Sequence, residues 1–425
     1  MLRRDFLRSV AALGLWPLAN DIAPSPRAAL KWPETSDPHF WRWLRAQFDI
    51  PKGETYFNTG TLGAMPRPVL EAVADHMREI EKTIAHYDYR PEHPEYFAGY
   101  RKQDELRAKV ASVINATAPE VALVQNATMG SNFIGNGLEL QPGDEVLMTD
   151  QEHVGNRGPW ELREKRQGIV LKKLPIGTPP SDPDAVVKIF AEAITPRTRA
   201  IDVPHITSKL GIVMPAQQIC DLARSHNIFC VIDGAQAIGQ RRVDVKAMGC
   251  DAYVTSPHKW LLAPPGNGLL YVRSDRLKDV WATLASASWN DYEPADGAYR
   301  LMQYGTGNLS LLVGLDAAID FYRKIGPDRV HDRVMELSNR LRSGLQKVPR
   351  AHIDSPTHPA MTCGIVTWGI DGVTGAKLMD ELWNRRKFRA RAVDDRAVRQ
   401  SCHIYNSPEE IDATLEIASA LARMT

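Results

Sequence analysis

Phe229-Cys230-Val231-Ile232-Asp233 is an apolar run that ends in an acid, and Gly234-Ala235-Gln236 follows it. A second apolar run ends near Thr255 and leads into Ser256-Pro257-His258-Lys259-Trp260. Short apolar runs bounded by turn residues indicate buried strands. Each strand would then carry one functional side chain, Asp233 or Lys259, at its carboxyl end. In open α/β sheets this is the edge that binds ligands.

An acid and a lysine at two such strand ends suit pyridoxal 5'-phosphate (PLP). This cofactor needs a lysine that forms a Schiff base and an acid that keeps its ring nitrogen protonated. Neither residue is decisive by itself. An Asp before a Gly often only forms a turn, and most lysines are solvated on the surface.

Composition excludes several classes of protein. The chain has 425 residues, of which 44% are hydrophobic and 24% charged, as in ordinary soluble globular enzymes. The formal charge is only +1, so the chain lacks the strongly basic character expected of a protein that binds nucleic acid. The 5 cysteines are scattered without a C-x-x-C pair, which argues against a structural zinc site or a disulfide framework. No metal is expected.

The N-terminus reads Leu2-Arg3-Arg4-Asp5-Phe6-Leu7-Arg8 and continues into a short apolar stretch over residues 10–19. That stretch is too short to span a bilayer. Paired arginines followed by Phe-Leu resemble a twin-arginine export signal. Residues 1–29 are therefore predicted to be a signal peptide read by the twin-arginine translocase, which predicts a periplasmic protein. A frayed basic terminus is the alternative.

Alternating patterns predict the domain organisation. Residues 30–54 are predicted to form a linker and a helix that packs on the body. A large domain is predicted over 55–308 and a smaller α+β domain over 309–425. Strands are predicted at 121–125, 145–149, 199–206, 229–233, 252–255, 268–272, 364–370 and 402–405. Strands of the large domain alternate with helices, which favours a mostly parallel sheet.

Three further segments carry candidate binding groups. Residues 126–132 join a predicted strand to a helix, and free N–H groups at a helix start can bind phosphate; a plain N-cap is the alternative. His153 follows another strand, and its flat ring could stack on a planar cofactor. Ser256 and His258 lie beside Lys259 and could donate to a phosphate.

Together these segments resemble the class V aminotransferase family of PLP enzymes, and within it the isopenicillin N epimerase-like subgroup. The resemblance runs from about Tyr56 to the C-terminus. It includes residues 56–66, 231–236, 256–260, the Gly305-Thr306-Gly307-Asn308 segment and residues 399–406. It implies a fold-type I α/β enzyme with a mostly parallel seven-stranded sheet, a smaller C-terminal α+β domain, bound PLP and a homodimer with its active site at the subunit interface.

The resemblance also implies a role for each matching residue. Lys259 would bind PLP covalently and act as acid and base at the substrate Cα. Asp233 would pair with the ring nitrogen, Gln236 with the phenolic oxygen, and His153 would stack on the ring. The remaining cofactor contacts would come from Thr128, Met129, Ser256 and His258, with Thr306 acting across the dimer interface. The substrate would be bound by Gly60, Thr61, Asn156 and Arg399, the last through its α-carboxylate.

One departure from the family affects the expected reaction. Cysteine desulfurases of the family carry a nucleophilic cysteine on a loop before the arginine that matches Arg399. Residues 384–391 contain no cysteine, which puts persulfide chemistry in doubt. The arginine-rich stretch 385–399 either helps to bind an acidic substrate or is a solvated basic face.

The predicted activity is transamination of an amino acid or amino-acyl side chain. With export, the resemblance suggests the glutamyl residue of a periplasmic siderophore precursor of the pyoverdine type. Epimerisation of an amino acid and cysteine-independent C–S lysis remain alternatives, because the fold does not decide among them. A PLP-binding protein without catalysis is a further alternative, and the set Lys259, Asp233 and Arg399 argues against it.

Overall fold

The computed structural model describes residues 30–86, 103–286 and 297–424. The predicted export signal over residues 1–29 lies outside the described residues. The chain divides into two compact units, Met1–Phe40 and Trp41–Thr425. In the first, the N–H of Asp37 donates to the carbonyl of Glu34 (3.0 Å), which closes a turn. The elements below belong to the second unit.

Helices and strands alternate through the described part of the chain. The α-helices are α1 (Phe40–Arg45, which begins at the unit boundary), α2 (Arg67–Thr83), α3 (Asp104–Val113), α4 (Ala127–Gly137), α5 (Val154–Gln167), α6 (Pro183–Ala193), α7 (Ala216–Ser225), α8 (Val245–Met248), α9 (Leu309–Ile325), α10 (Pro327–Leu345), α11 (Gly375–Arg386) and α12 (Pro408–Met424). The strands are β1 (Thr55–Tyr56), β2 (Val121–Val124), β3 (Glu145–Thr149), β4 (Val170–Leu174), β5 (Thr198–Pro204), β6 (Phe229–Asp233), β7 (Ala252–Thr255), β8 (Gly268–Val272), β9 (Ala351–Ile353), β10 (Ile365–Ile370), β11 (Phe388–Arg389), β12 (Arg391–Ala392) and β13 (Val398–Ser401).

A seven-stranded sheet with the order β2-β8-β7-β6-β5-β3-β4 forms the large sheet. Strands β4, β3, β5, β6 and β7 pair in parallel, and only β8 runs antiparallel to its neighbours β7 and β2. The central strands β6 and β7 are buried along their whole length because helices cover both faces. The predicted mostly parallel sheet is confirmed.

The smaller C-terminal sheet is antiparallel, with the order β12-β13-β10-β9. Strand β1, from the start of the chain, pairs in parallel with β11, and Asn58 forms a bridge to Ser401. The segment after β1 is therefore attached to the C-terminal sheet, although the next elements of the chain lead into the large sheet. The predicted domain boundaries at 54/55 and 308/309 stay predictions.

Most predicted strands are confirmed within two residues, but one is wrong, and the observed strands β1, β4, β9, β11, β12 and β13 were not predicted. Strand β4 was missed because its two lysines, Lys172 and Lys173, and its partial exposure hide the apolar pattern. The strand predicted over 402–405 is wrong: β13 ends at Ser401, and Asn406 Oδ1 accepts from the N–H of His403 (2.9 Å) to form a turn. Apolar residues 402–405 are buried, but in that turn.

The C-terminal sheet packs against α10, α11 and α12 around its own core. Trp368 on β10 is fully buried there with Leu337, Leu341 and Leu378. Its Nε1 donates to Gln400 Oε1 (2.7 Å), so the indole is satisfied as well as packed. Among the described helices, none is both long and apolar enough to cross a membrane.

Replacement of Trp368 by Ala is expected to destabilise the protein by about 3–5 kcal/mol, because it leaves a large cavity and an unpaired Gln400. Trp281→Ala is the matched control, since Trp281 is 62% exposed. Thermal unfolding of the two variants and the wild type checks this. Equal unfolding temperatures for Trp368→Ala and wild type would show that the C-terminal core tolerates the loss.

Candidate active site

A cavity of about 470 Å³ opens at the carboxyl edge of the large sheet and is closed on one side by β12 and β13. The chain order of the sheet reverses between β3 and β5, and such a switch point leaves a crevice outside the strand ends. Most of the sequence-predicted site residues line it: Gly60, Thr61, Thr128, His153, Asn156, Asp233, Gln236, Ser256, His258, Lys259 and Arg399.

Asp233 and Lys259 both line this cavity, and their charges interact. Asp233 is the last residue of β6 and is 6% exposed; its Oδ1 accepts from the N–H of Ala235 (2.9 Å). Burial raises the pKa of Asp233, and Lys259 opposes that shift. Burial lowers the pKa of Lys259 to about 8, against the attraction of Asp233. The pair therefore combines a buried acid with an amine that deprotonates near neutral pH.

A loop from the N-terminal side fixes the backbone of Lys259. The N–H of Gly63 donates to the carbonyl of His258 (2.8 Å). A Cβ on Gly63 would lie 2.0 Å from the Lys259 carbonyl, so this approach requires glycine. Loop 58–63 can thus approach the backbone of Lys259 this closely only because residue 63 has no side chain.

The start of α4 forms a polar cradle beside Lys259. Asn126 Oδ1 accepts from the N–H of Met129 (2.9 Å), and Ser256 Oγ accepts from the N–H of Ala127 (2.9 Å). A Cβ on Gly155 would lie 2.2 Å from Thr128 Oγ1, so the first turn of α5 packs directly on that hydroxyl. The hydroxyls of Thr128 and Ser256 remain at the cavity surface.

His258 completes this cradle with an unused ring nitrogen. Its Nδ1 is buried and has no hydrogen-bond partner among the described residues. Burial, with a smaller effect of Lys259, lowers the pKa of His258 to about 4, so the ring is neutral. An orphaned donor at a helix N-terminus fits an anionic group, since the helix dipole favours negative charge there.

His153 forms a second wall of the cavity. It caps α5, and its Nδ1 accepts from the N–H of Gly155 (3.1 Å). Burial lowers the pKa of His153, and Lys259 lowers it further. The lowered pKa favours the neutral ring, and because Nδ1 accepts a hydrogen bond, the proton lies on Nε2.

The side chain of Gln236 forms two hydrogen bonds within the protein that the sequence did not predict. Its Nε2 donates to the carbonyl of Gly60 (2.8 Å), and its Oε1 accepts from Trp260 Nε1 (2.7 Å). One amide hydrogen is left for a ligand. Gln236 therefore also ties loop 58–63 to the large sheet.

Asn156 lies at the floor of the cavity in a buried acid network. Its Nδ2 donates to Glu152 Oε2 (3.1 Å) and Asp202 Oδ1 (2.8 Å), and its Oδ1 accepts from Ser131 Oγ (2.7 Å). Burial raises the pKa of Glu152 well above its ordinary value and that of Asp202 to about 7. Both amide hydrogens of Asn156 are used within the protein, and its predicted contact with substrate stays a prediction.

Two predicted residues lie away from this cavity. Met129 does not line it, and its N–H is taken by Asn126. Thr306 is exposed and does not line the cavity of its own chain, as far as the described residues go. Its predicted role across a dimer interface stays a prediction.

Arg399 on β13 is held entirely by neutral acceptors. Its Nη1 donates to the carbonyl of Ser208 (2.7 Å), and its Nη2 to Asn58 Oδ1 (2.9 Å) and Thr61 Oγ1 (2.7 Å). Its Nε is buried without a hydrogen-bond partner among the described residues. Because no carboxylate is among these partners, the positive charge of the guanidinium is uncompensated, which suits it to a carboxylate ligand.

Sequence reasoning missed three contributors to the site. Asn58 lies in the loop that carries the family resemblance, but no side-chain role was expected of it. Arg391 lines the cavity, and the arginine-rich stretch was its only signal. Ser208 contributes a backbone carbonyl, which no residue pattern reveals.

No cysteine lines this cavity. All of the cysteines, Cys220, Cys230, Cys250, Cys363 and Cys402, are buried. Cys363 Sγ donates to the carbonyl of Gly211 (3.2 Å). Within residues 30–86, 103–286 and 297–424, no cluster of His, Cys, Asp and Glu could hold a metal ion.

Comparison with known proteins gives consistent relatives. The family model for aminotransferase class-V matches residues 56–414. Isopenicillin N epimerase from Streptomyces clavuligerus is 29% identical over 400 residues, covering 90% of this chain and 98% of that protein. A probable cysteine desulfurase from Methanothermobacter thermautotrophicus is 28% identical over 410 residues, covering 91% and 99%.

Solved structures agree. A mutant of the protein C-DES with glycine covalently linked to its PLP cofactor superposes with a TM-score of 0.76 at 25% identity, covering 88% of this chain and 98% of that one. The fold-type I architecture and the binding of PLP follow from these matches together with the family model. The cradle at α4, the acid Asp233 and the lysine Lys259 fit that cofactor.

The amine of Lys259 in cofactor-free protein is expected to react with an acylating reagent with a midpoint near pH 8, because only the neutral amine is nucleophilic and its pKa is lowered to about 8. An ordinary surface lysine titrates near pH 10.4. Mass spectrometry of the labelled peptide across a pH series measures this, and Lys259→Ala identifies the peptide. A midpoint matching that of surface lysines would contradict the lowered pKa.

Proposed function

The chain belongs to the class V aminotransferase family of PLP-dependent enzymes, and we propose that it transfers the amino group of an amino acid or amino-acyl residue. The observation that carries this proposal is the position of Lys259. Among the cavity-lining residues that the structure describes, it is the one amine without an ion pair, since Lys209 is bound to Asp394 (2.9 Å). The free amine of Lys259 lies in the same cavity as the acid Asp233 and the guanidinium of Arg399. This combination is suited to a reaction at the Cα of an amino acid.

Different residues around Lys259 are proposed to bind different parts of the cofactor. PLP, when bound, supplies an electron sink for the bond electrons released at the substrate Cα. Thr128, Ser256 and His258 are proposed to hold its phosphate at the start of α4, and His153 to cover the ring. Asp233 is proposed to keep the ring nitrogen protonated through a charge–charge contact in a dry site.

Lys259 is proposed to move the proton at the substrate Cα. With a pKa of about 8, an appreciable fraction of its amine is neutral near neutral pH and can act as a base. Arg399 is proposed to hold the substrate α-carboxylate, so that the Cα–H bond faces Lys259. The loop that carries Gly60 packs closely on this side, where a Cβ on Gly60 would lie 3.2 Å from Arg399 Cζ.

We further propose a periplasmic location and a specific substrate. The twin-arginine pattern at residues 3–8 supports export by the twin-arginine translocase, and the layout of the family supports a homodimer in which Thr306 reaches the partner's site. The glutamyl residue of a siderophore precursor of the pyoverdine type is the proposed substrate. An acidic amino-acyl group is compatible with the arginine-lined cavity.

Epimerisation is the second candidate, because isopenicillin N epimerases are among the relatives. Epimerisation must return the proton to the opposite face of Cα, which calls for a second acid beyond Lys259. Incubation in deuterated water separates the two reactions. Deuterium at Cα without formation of a keto acid favours the epimerase, and keto-acid formation favours amino transfer.

Replacement of Lys259 by Ala is expected to reduce conversion of the glutamyl precursor by at least about 100-fold, the usual contribution of a positioned general base. Lys188→Ala, on an exposed position of α6, is the control and is expected to match wild type. The precursor is incubated with the enzyme and a 2-keto acid that accepts the amino group, and mass spectrometry of the precursor measures conversion. Unchanged precursor after incubation with wild-type holoenzyme would remove the siderophore proposal.

The buried cysteines lead to a further expectation. With L-cysteine as substrate, no persulfide is expected on the protein, because none of the five thiols reaches the cavity. Burial raises the pKa of both Cys363 and Cys402, the latter to about 12, which keeps both sulfurs protonated and unreactive. Thiol-blocking mass spectrometry after turnover tests this, and a persulfide on either residue would contradict it.

A further inference from the structure

Two arginines lie directly opposite each other at the edge of the cavity. Strands β12 and β13 are antiparallel, and Arg391 is the register partner of Arg399. Directly opposed residues on neighbouring strands share one face, and like charges in that arrangement are destabilising. Both side chains line the cavity.

The two guanidinium groups converge on one hydroxyl. Thr61 Oγ1 accepts from Arg399 Nη2 (2.7 Å) and from Arg391 Nη1 (3.2 Å), and it donates to Asn58 Oδ1 (2.8 Å). The hydroxyl has then used its hydrogen and both lone pairs. It orients the two cations but neutralises neither.

No carboxylate in the described residues forms an ion pair with either arginine. This contrasts with other basic side chains nearby. Lys209 in the same cavity pairs with Asp394 (2.9 Å), and Arg385 pairs with Glu381 (2.6 Å). Arg391 and Arg399 therefore line the cavity without the carboxylate partners that these two basic side chains have.

Arg391 and Arg399 differ in how deeply they are buried. Arg399 is 2% exposed, whereas Arg391 is exposed at the cavity mouth. Burial, reinforced by the positive charge of Arg391, lowers the pKa of Arg399 to about 10. An anion between or beside the two groups would relieve the repulsion that the fold otherwise maintains.

We propose that Arg391 binds a second anionic group of the substrate, separate from the α-carboxylate at Arg399. The substrate class is then an amino acid or amino-acyl compound with two anionic groups. This inference rests on the proposed function, because it places the reacting end at the buried arginine and the distal group at the exposed one. Glutamate with both carboxylates free is the simplest member of the class, and a glutamyl residue linked through one carboxyl would take its second anionic group from the rest of the precursor.

Dicarboxylates without an amine test the inference apart from catalysis. The holoenzyme is titrated calorimetrically with succinate, glutarate and adipate, each against the monocarboxylate of the same carbon number. At least one dicarboxylate is expected to bind roughly tenfold more tightly than its partner, the usual effect of one added charge-assisted hydrogen bond.

Arg391→Gln is expected to abolish that preference and to leave monocarboxylate affinity nearly unchanged. Arg391→Lys keeps the charge and is expected to restore part of the preference. Arg396→Gln is the matched control, because Arg396 is exposed in the same stretch and does not line the cavity. It removes the same charge and is expected to behave as wild type.

Three results would overturn the inference. Equal weakening of mono- and dicarboxylates in Arg391→Gln would mean that both arginines hold one carboxylate. Unchanged binding would mean that Arg391 is only a surface charge, and loss of PLP content would mean that it serves the cofactor. The proposed function is judged separately, by whether amines alter the visible absorption of the wild-type holoenzyme.

Discussion

The site depends on the parallel pairing of β6 with β7. Their register places Asp233 opposite Val254, so the acid at the end of one strand and the residues that follow the other share one edge of the sheet. Both strands are buried, and each group is perturbed by removal from water. Burial favours the neutral form of each, and their mutual attraction opposes it. A buried acid and a weakly basic amine can thus coexist within one cavity.

The second requirement is that the segment from β1 to Gly63 and the C-terminal sheet meet at that edge. Strand β1 pairs with β11, Asn58 bridges to Ser401, and Gly63 packs against the backbone of Lys259. The loop after β1 thereby touches the lysine from the large sheet and the arginine from the C-terminal sheet. A displacement of either sheet would move the acid–base group relative to the carboxylate-binding group, and reaction at one Cα needs both in place.

The relatives named above are an epimerase and a probable cysteine desulfurase, whose names denote two different reactions. The chain is similar to both over most of its length, but its own cysteines are buried away from the cavity. The fold and its cofactor therefore do not decide the reaction. The substrate side of this cavity carries two arginines held by neutral partners, and the acidic substrate proposed above is argued from them.

The sequence alone was sufficient for the strand ends and the groups they carry. Phe229–Asp233 and Ala252–Thr255 are local apolar runs, so Asp233 and Lys259 could be placed at strand ends from neighbouring residues, whereas their roles and that of Thr128 came from the family resemblance. Tertiary structure decided the partners of Gln236 and Asn156, the turn at 402–405 and the opposition of Arg391 to Arg399. Each of these depends on which distant strands pair and in which register. That is set by burial over the whole fold, and a one-residue shift would turn those side chains to the other face.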